Sequence, residues 1–291
     1  MKTLFIFLLP FVLLSKELID IIPKKVKHGS NFAVIYISDI KQTKAPFITF
    51  KNKHYQMFTI KGNTKKYEAF IPVDYYSKKQ KENIQISVFK DNNWTKQNHT
   101  IEIIDGNYKK NEIIKVAKSK VTLSKKNKTK TSNEYGTVFK SVYSKVTPKS
   151  LTNSQLFINP MPSKITSAYG NARIYNSLTK SYHTGTDFRG TIGSNIFASN
   201  DGNVALVMDR FYLGRVIYID HGHGAYSYYA HLSKSLVKKG DTIKQGDLIA
   251  KSGKSGRVTG PHLHYAFRLH NTTVDPLEYA KVYNKIVQKY H

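Results

Sequence analysis

The sequence predicts a mostly β protein, in which a C-terminal antiparallel β-sheet domain follows a small β-sandwich-like domain and ends in a short helix. Three observations predict it. Short apolar-polar alternations recur between residues 32 and 104, a second and glycine-richer series of short strands runs from about residue 156 to 268, and only the last residues repeat at helical spacing.

The chain opens with Met1-Lys2-Thr3, an apolar run over residues 4–14 broken only by Pro10, and the polar exit Ser15-Lys16-Glu17. That outline is a secretory signal peptide over residues 1–15, with cleavage after Ser15 or, given Leu13 at the upstream recognition position, an uncleaved anchor as the alternative, and the run is shorter than the roughly 20 residues a spanning helix needs. The expected location is therefore exported, and without a lipid-attachment or wall-anchoring motif the periplasm is expected rather than the exterior. From 16 to 104 the segments 32–37, 47–50, 55–60, 67–71, 84–89 and 100–104 alternate like strands. Turn residues such as His28-Gly29-Ser30 and Asp91-Asn92-Asn93 separate them, which predicts a β-sandwich-like accessory domain. Residues 105–155 shift to Lys, Asn, Ser and Thr and predict a basic linker or extension, with edge-strand pairing at 115–116 or 121–123.

The domain over 156–277 is marked by segments 196–198, 202–208, 215–219, 225–229, 248–250 and 264–268. Asp275-Pro276 then supplies an N-cap and first turn. Leu277, Ala280, Tyr283, Ile286, Val287 and Tyr290 follow at helical spacing, placing a terminal helix over 278–291.

Composition narrows the function classes. The chain of 291 residues is 40% apolar, enough for about two domains with real cores. It has no cysteine, which excludes disulfides, thiolate nucleophiles and cysteine-based metal sites. The +27 net charge, from 46 basic and 19 acidic residues, attracts polyanions. Its lysines are spread along the whole chain and read mostly as solvated surface, whereas every arginine lies between Arg173 and Arg268.

Seven of the 11 histidines fall between His183 and His270, and three short elements stand out: His183-Thr184-Gly185-Thr186-Asp187, Tyr229-Ala230-His231-Leu232 and Gly260-Pro261-His262-Leu263-His264-Tyr265. Histidines two apart on a strand project from one face about 6–7 Å apart, so one can bind a metal while its neighbour serves the water or substrate. His183 and Asp187 are four apart across Gly185, which lets the backbone turn so that a nitrogen and an oxygen meet the same ion. Two imidazoles and one carboxylate form the three-ligand set of catalytic zinc with one position open, whereas magnesium and calcium want more carboxylates. No glutamate lies between Glu134 and Glu278, so the proton acceptor such a site needs must be histidine or aspartate. His231 and His262 are the natural pair. Which accepts the proton is left open. His221 and His223, in Asp220-His221-Gly222-His223-Gly224, are expected to shape a turn, and His270 and His291 to sit at the surface.

Taken together these elements resemble the lysostaphin- and LytM-type zinc endopeptidases over residues 167–276, through His-x-x-x-Asp, an intervening histidine and His-x-His. Ser167-Ala168-Tyr169-Gly170 with Arg173, Phe188, Asp220-His221-Gly222 and the approach Gly256-Arg257-Val258-Thr259-Gly260 recur in the same order. The resemblance implies one Zn2+ on His183, Asp187 and His264, catalysis by His231 and His262, and a groove for peptidoglycan stem peptides with Arg173, Tyr175 or Tyr182 touching substrate. It also implies cleavage of cross-links at D-alanine–diaminopimelate bonds, with glycine bridges as the alternative; the export signal and the lack of a nucleic-acid motif separately predict no nucleic-acid partner. Two other functions compete: a catalytically silent wall-binding regulator of another hydrolase, and a basic polyanion-binding module. A latent form of the endopeptidase, with residues 16–155 across the groove, is a variant of the enzyme reading rather than a rival to it.

Overall fold

The computed structural model describes residues 17–109 and 111–291. The signal peptide read over residues 1–15 lies outside them. Among the described residues no helix is long and apolar enough to cross a membrane.

Nine strands come first: β1 (Leu18–Ile22), β2 (Lys25–Lys27), β3 (Asn31–Ile37), β4 (Phe47–Phe50), β5 (Lys53–Gln56), β6 (Phe58–Thr59), β7 (Lys66–Pro72), β8 (Lys81–Lys90) and β9 (Asn93–Ile104). They pair in two sheets, β1-β3-β7-β6 and β2-β9-β8-β4-β5. Alternation explains the layering, because Phe32, Val34 and Tyr36 face Ile48, Ile84 and Ile86 in a shared core while the intervening Ala33 and Ile35 point the other way. Strands β1 and β2 escaped the sequence reading, since each is short and interrupted by charge. β9 starts at Asn93, inside a tract read as turn, because its first half is a two-stranded ribbon with β8.

The stretch 105–155 differs from a linker. Pairing occurs at β10 (Glu112–Ile114), which lies parallel to a strand of the next domain, and not at 115–116 or 121–123. Helix α1 (Lys125–Val138) follows and runs on through a π-helical turn, Phe139–Tyr143. Ser124 caps it, its Oγ accepting from Asn127 N at 3.3 Å. Glu134, Val138 and Val142 share one face and are buried; burial of each valine contributes about 1.5–3 kcal/mol.

The remaining strands are β11 (Ile165–Ser167), β12 (Ala172–Tyr175), β13 (Thr179–Tyr182), β14 (Thr186–Arg189), β15 (Asn195–Phe197), β16 (Gly202–Arg210), β17 (Gly214–Asp220), β18 (Ala225–Ser235), β19 (Thr242–Ile243), β20 (Leu248–Ser252), β21 (His262–Leu269) and β22 (Thr272–Val274). Their main sheet runs β11-β14-β21-β18-β17-β16-β19, and its pairs are antiparallel. Phe188, Leu263, Tyr265 and Tyr229 fill a core on one face. The opposite face carries Tyr228, Ala230 and Ala266, where Val138, Val142 and Tyr143 cover part of it. His264 belongs to this second face by alternation with Ala266, so the helical segment closes one part of the face that bears the histidines.

Helix α2 (Pro276–Tyr290) is wedged between the two halves of the molecule. Tyr279, Val282, Tyr283 and Ile286 pack with Phe267 and Leu269 on one side and with Ala33, Ile35 and Phe70 on the other. Its cap Asp275 accepts from Leu277 N at 2.9 Å, and burial raises this carboxyl to about 6 against those hydrogen bonds. The folded state therefore holds a proton that the unfolded state releases above its value of 3.8. Stability from this group should be full below pH 3.8 and fall as pH rises through about 6, by on the order of 2–3 kcal/mol. D275N, which keeps a capping oxygen, is expected to flatten that part of the profile in thermal melts taken from pH 4 to 7.

Candidate metal centre and active site

Strand pairing assembles the site. On adjacent strands β14 and β21, Asp187 stands opposite His264 and Arg189 opposite His262, and on β18 Ala230 stands opposite His264. His183 arrives from the turn after β13, tied by its N to Asn171 O at 2.8 Å. His231 follows Ala230 where the β17–β18 register shifts. It adopts φ 62, a left-handed conformation unusual for a residue with a Cβ. The bulge turns its ring toward the β21 histidines: the His231 and His262 centroids are 4.8 Å apart.

Three acceptor atoms form a tight triangle. His183 Nε2 is 2.9 Å and His264 Nδ1 2.8 Å from Asp187 Oδ1, and the two nitrogens are 3.0 Å apart. His183 Nδ1 lies 2.9 Å from Ala168 O, a carbonyl that only accepts, so Nδ1 carries the proton and Nε2 a lone pair. At most the His264 Nδ1 proton is then left for three acceptors. A cation satisfies all three, and the edges are close to the roughly 3.3 Å expected of tetrahedral zinc with N and O ligands. His264 makes both of its contacts through Nδ1, to Asp187 Oδ1 and His183 Nε2, while its Nε2 is buried without a hydrogen-bond partner.

The electrostatics suit a cation too. Burial would raise Asp187, but His183 and His264 beside it outweigh burial and hold the carboxyl well below its usual range. Burial lowers His264 to about 4, leaving its imidazole neutral. Asp187 Oδ2 accepts from Arg173 Nη2 at 2.8 Å, so both carboxylate oxygens are committed.

His231 and His262 lie just outside the triangle. His231 Nδ1 donates to Ser255 O at 2.8 Å and His262 Nδ1 to Gly260 O at 2.9 Å, which leaves Nε2 of each as an acceptor. Burial, then the neighbouring His264 and His262, push His231 well below its usual value. His262 Nε2 is 3.7 Å from Asp187 Oδ1.

The structure thus brings His183, Asp187, His264, His231 and His262 together. Arg173 joins them with its guanidinium already engaged: Nη2 also reaches Ser167 Oγ at 2.9 Å and Nε reaches Glu112 Oε2 at 3.0 Å. Tyr175 and Tyr182 line a smaller cleft beside His231 with Tyr212, Leu213 and Arg257. The Tyr175 ring lies under the Arg257 guanidinium at 3.9 Å, and Tyr182 stacks on Tyr75 at 3.8 Å. A larger cleft of about 580 Å³ borders Asp187 and His262 and is walled by residues 112–115. Glu112 was missed, although it is the one acidic residue between Asp105 and Glu134 in a lysine-rich tract.

Other histidines sort as follows. His221 is satisfied inside the core by Asp201 O and Ser227 Oγ, at a turn as expected. His223 stacks on Phe58 at 4.2 Å. His291 lies at the surface as a residue, but its side chain is only 6% exposed and pairs with buried Glu68 at 2.9 Å, because the chain end folds back onto β7. His270 packs edge-on against Tyr55.

Residues 181–276 match the family model described as Peptidase family M23. Over 96 residues the chain is 43% identical to the peptidoglycan DD-endopeptidase ShyA of Vibrio cholerae, a match that covers 33% of this chain and 22% of that one. Over 98 residues it is 36% identical to the DD-carboxypeptidase/endopeptidase Mpg of Neisseria meningitidis, covering 34% and 23%. The match thus spans less than a quarter of these curated relatives' length. A Pseudomonas aeruginosa crystal structure assigned to peptidase M23 superposes with TM-score 0.63 at 20% identity, over 86% of this chain and 93% of that one, so the fold is shared well beyond the matched segment.

Proposed function

Residues 181–276 match the model of peptidase family M23, and from that likeness we propose that the chain is a zinc-dependent peptidoglycan hydrolase. It cleaves peptide cross-links at D-alanine–diaminopimelate bonds, as an exported, periplasmic enzyme. The observation that carries this reading is the triangle of acceptor atoms on His183, Asp187 and His264, with two unprotonated imidazole nitrogens beside it.

Zinc held by His183, Asp187 and His264 would supply Lewis acidity to a water molecule and to the scissile carbonyl. The chain's own residues do the rest. The Nε2 atoms of His231 and His262 face the site as acid and base: one takes the water proton and passes it to the leaving nitrogen, and the other, protonated from solvent, steadies charge developing on the carbonyl oxygen. Backbone carbonyls of Ser255 and Gly260 hold both rings in the tautomer this requires. Arg173 positions Asp187 through Nη2 while Nε meets Glu112, and its Nη1, without a hydrogen bond to a described residue, is left for substrate in the cleft. Tyr175 and Tyr182 border the substrate path on the His231 side.

Access to the site is proposed to be restrained by the segment before the domain. Glu112 shares Arg173 and Ser167 with the ligand network, and β10 forms a wall of the larger cleft. The shared packing of α2 with the N-terminal sheet makes removal of residues 16–155 a change that also exposes core. E112A is the cleaner probe and should raise turnover several-fold; an unchanged or lower rate from a folded variant counts against restraint.

The test of the function is digestion of purified peptidoglycan by the full-length, zinc-loaded protein, followed by mass spectrometry of the muropeptides. Conversion of D-alanine–diaminopimelate dimers to monomers is the expected result. No new muropeptide, with metal bound, would overturn the enzyme reading in favour of a silent wall-binding regulator.

A further inference from the structure

Charge around the larger cleft is not evenly committed. Glu112, Arg173 and Asp187 are bound to one another, directly or through Ser167. Arg189 and Lys115 line the same cleft, are exposed, and form no side-chain hydrogen bond or ion pair with any described residue. The cleft therefore has two uncommitted positive charges next to the triangle.

Register places Arg189. It stands opposite His262 as Asp187 stands opposite His264, and side chains two apart on a strand share a face. Asp187, Arg189, His262 and His264 accordingly line one face, while the intervening Phe188 and Leu263 enter the core. Arg189 sits one repeat, about 7 Å, along the strand from the metal-ligand rung, on the His262 side.

We propose that Arg189 determines substrate choice by binding a carboxylate carried on the carbon attached to the scissile nitrogen, with Lys115 adding positive charge from the β10 wall. This rests on the hydrolase reading above and names the feature that site selects. Carbonyl carbon, nitrogen, the next carbon and its carboxylate are consecutive atoms, so the carboxylate carbon lies roughly 3–4 Å from the reacting carbonyl. A guanidinium based one strand repeat away spans the remaining distance and meets a carboxylate with two parallel hydrogen bonds. Two peptide classes carry that group: a D-alanyl-D-alanine terminus, and a cross-link to diaminopimelate whose adjacent carboxyl is free. An interior glycine–glycine bond carries a further amide there and offers Arg189 nothing to bind.

The experiment compares full-length wild type with R189Q on three defined substrates: a pentapeptide ending in D-alanyl-D-alanine, a diaminopimelate-linked dimer with the adjacent carboxyl free, and the same dimer with that carboxyl amidated. R189Q should lower kcat/KM tenfold or more on one or both carboxylate substrates, and wild type should already be slow on the amidated dimer, where R189Q changes nothing further. A loss confined to the pentapeptide assigns the carboxylate to a chain terminus, and one confined to the free dimer assigns it to the cross-link. Equal activity of R189Q and wild type, or an equal loss on free and amidated dimers, overturns the proposal. Should wild type cleave none of them, the hydrolase reading fails separately. Calorimetric binding of the free and amidated dimers then decides: weaker binding of the free dimer alone by R189Q retains the carboxylate site, and equal binding removes it.

Discussion

H183A and D187A are expected to purify without metal and without measurable hydrolase activity, whereas H231A and H262A retain about one zinc per chain and lose turnover by roughly 10²–10⁴-fold. The split follows from where the lone pairs point. His183 Nε2, Asp187 Oδ1 and His264 Nδ1 meet one another within 3.0 Å, so deleting one leaves two donors, too few for a stable tetrahedral site. D187A carries a second penalty, because Arg173 then loses one of its two carboxylate partners in a buried setting and keeps only Glu112. His231 and His262 do not belong to the triangle, and each is held through Nδ1 by a backbone carbonyl that alanine simply leaves to water. Metal analysis beside steady-state rates checks the split. Zinc loss from H231A or H262A equal to that from H183A would show that the ligand set has been drawn wrongly.

The two halves of the site were not equally visible in the sequence. His183, Asp187, His231, His262 and His264 were legible because the chemistry demands particular residue types at close spacing, and a strand converts the two-residue spacing of His262 and His264 into a shared face. Glu112 was not, since nothing local marks a parallel pairing between β10 and a strand some 60 residues on. Arg173 was singled out, yet its orientation toward Asp187 follows from the β12–β13 hairpin, which no spacing rule reports. The helix over Lys125–Val138 shows the same limit. Glu134, Val138 and Val142 do recur every four residues, but lysine, threonine and asparagine around them gave the tract the composition of a solvated linker. Its order comes from the sheet it covers, through Val142, Tyr143 and the bond from Phe211 N to Glu134 Oε2 at 2.9 Å.

Gly185 is where the sequence argument reached the right residue for an incomplete reason, and G185A is the second variant expected to have a large effect. A turn between His183 and Asp187 suggested backbone freedom, but the structure shows a demand for space. A Cβ at this position would stand 2.5 Å from Tyr265 O, 2.7 Å from Ala266 Cβ and 2.8 Å from His264 Cε1. Two of these belong to the backbone and core of β21, which cannot retreat without disturbing the pairing of Thr186 with Tyr265 and of Asp187 with His264. Overpacking of this kind costs about 1–3 kcal/mol, which corresponds to a fall in Tm of roughly 2–5 °C for a chain of this size. The larger consequence is local. Pushing β14 from β21 separates Asp187 and His183 from the His264 ring, and zinc affinity should fall by at least the 10–100-fold typical of losing one supporting contact. G185A is therefore expected to melt earlier in the zinc-loaded state and to release metal to a chelator faster than wild type, with both measurements moving together. A variant that binds zinc as tightly as wild type would mean that β14 and β21 have slack at this position, and that the close approach is not what holds the three ligands in place.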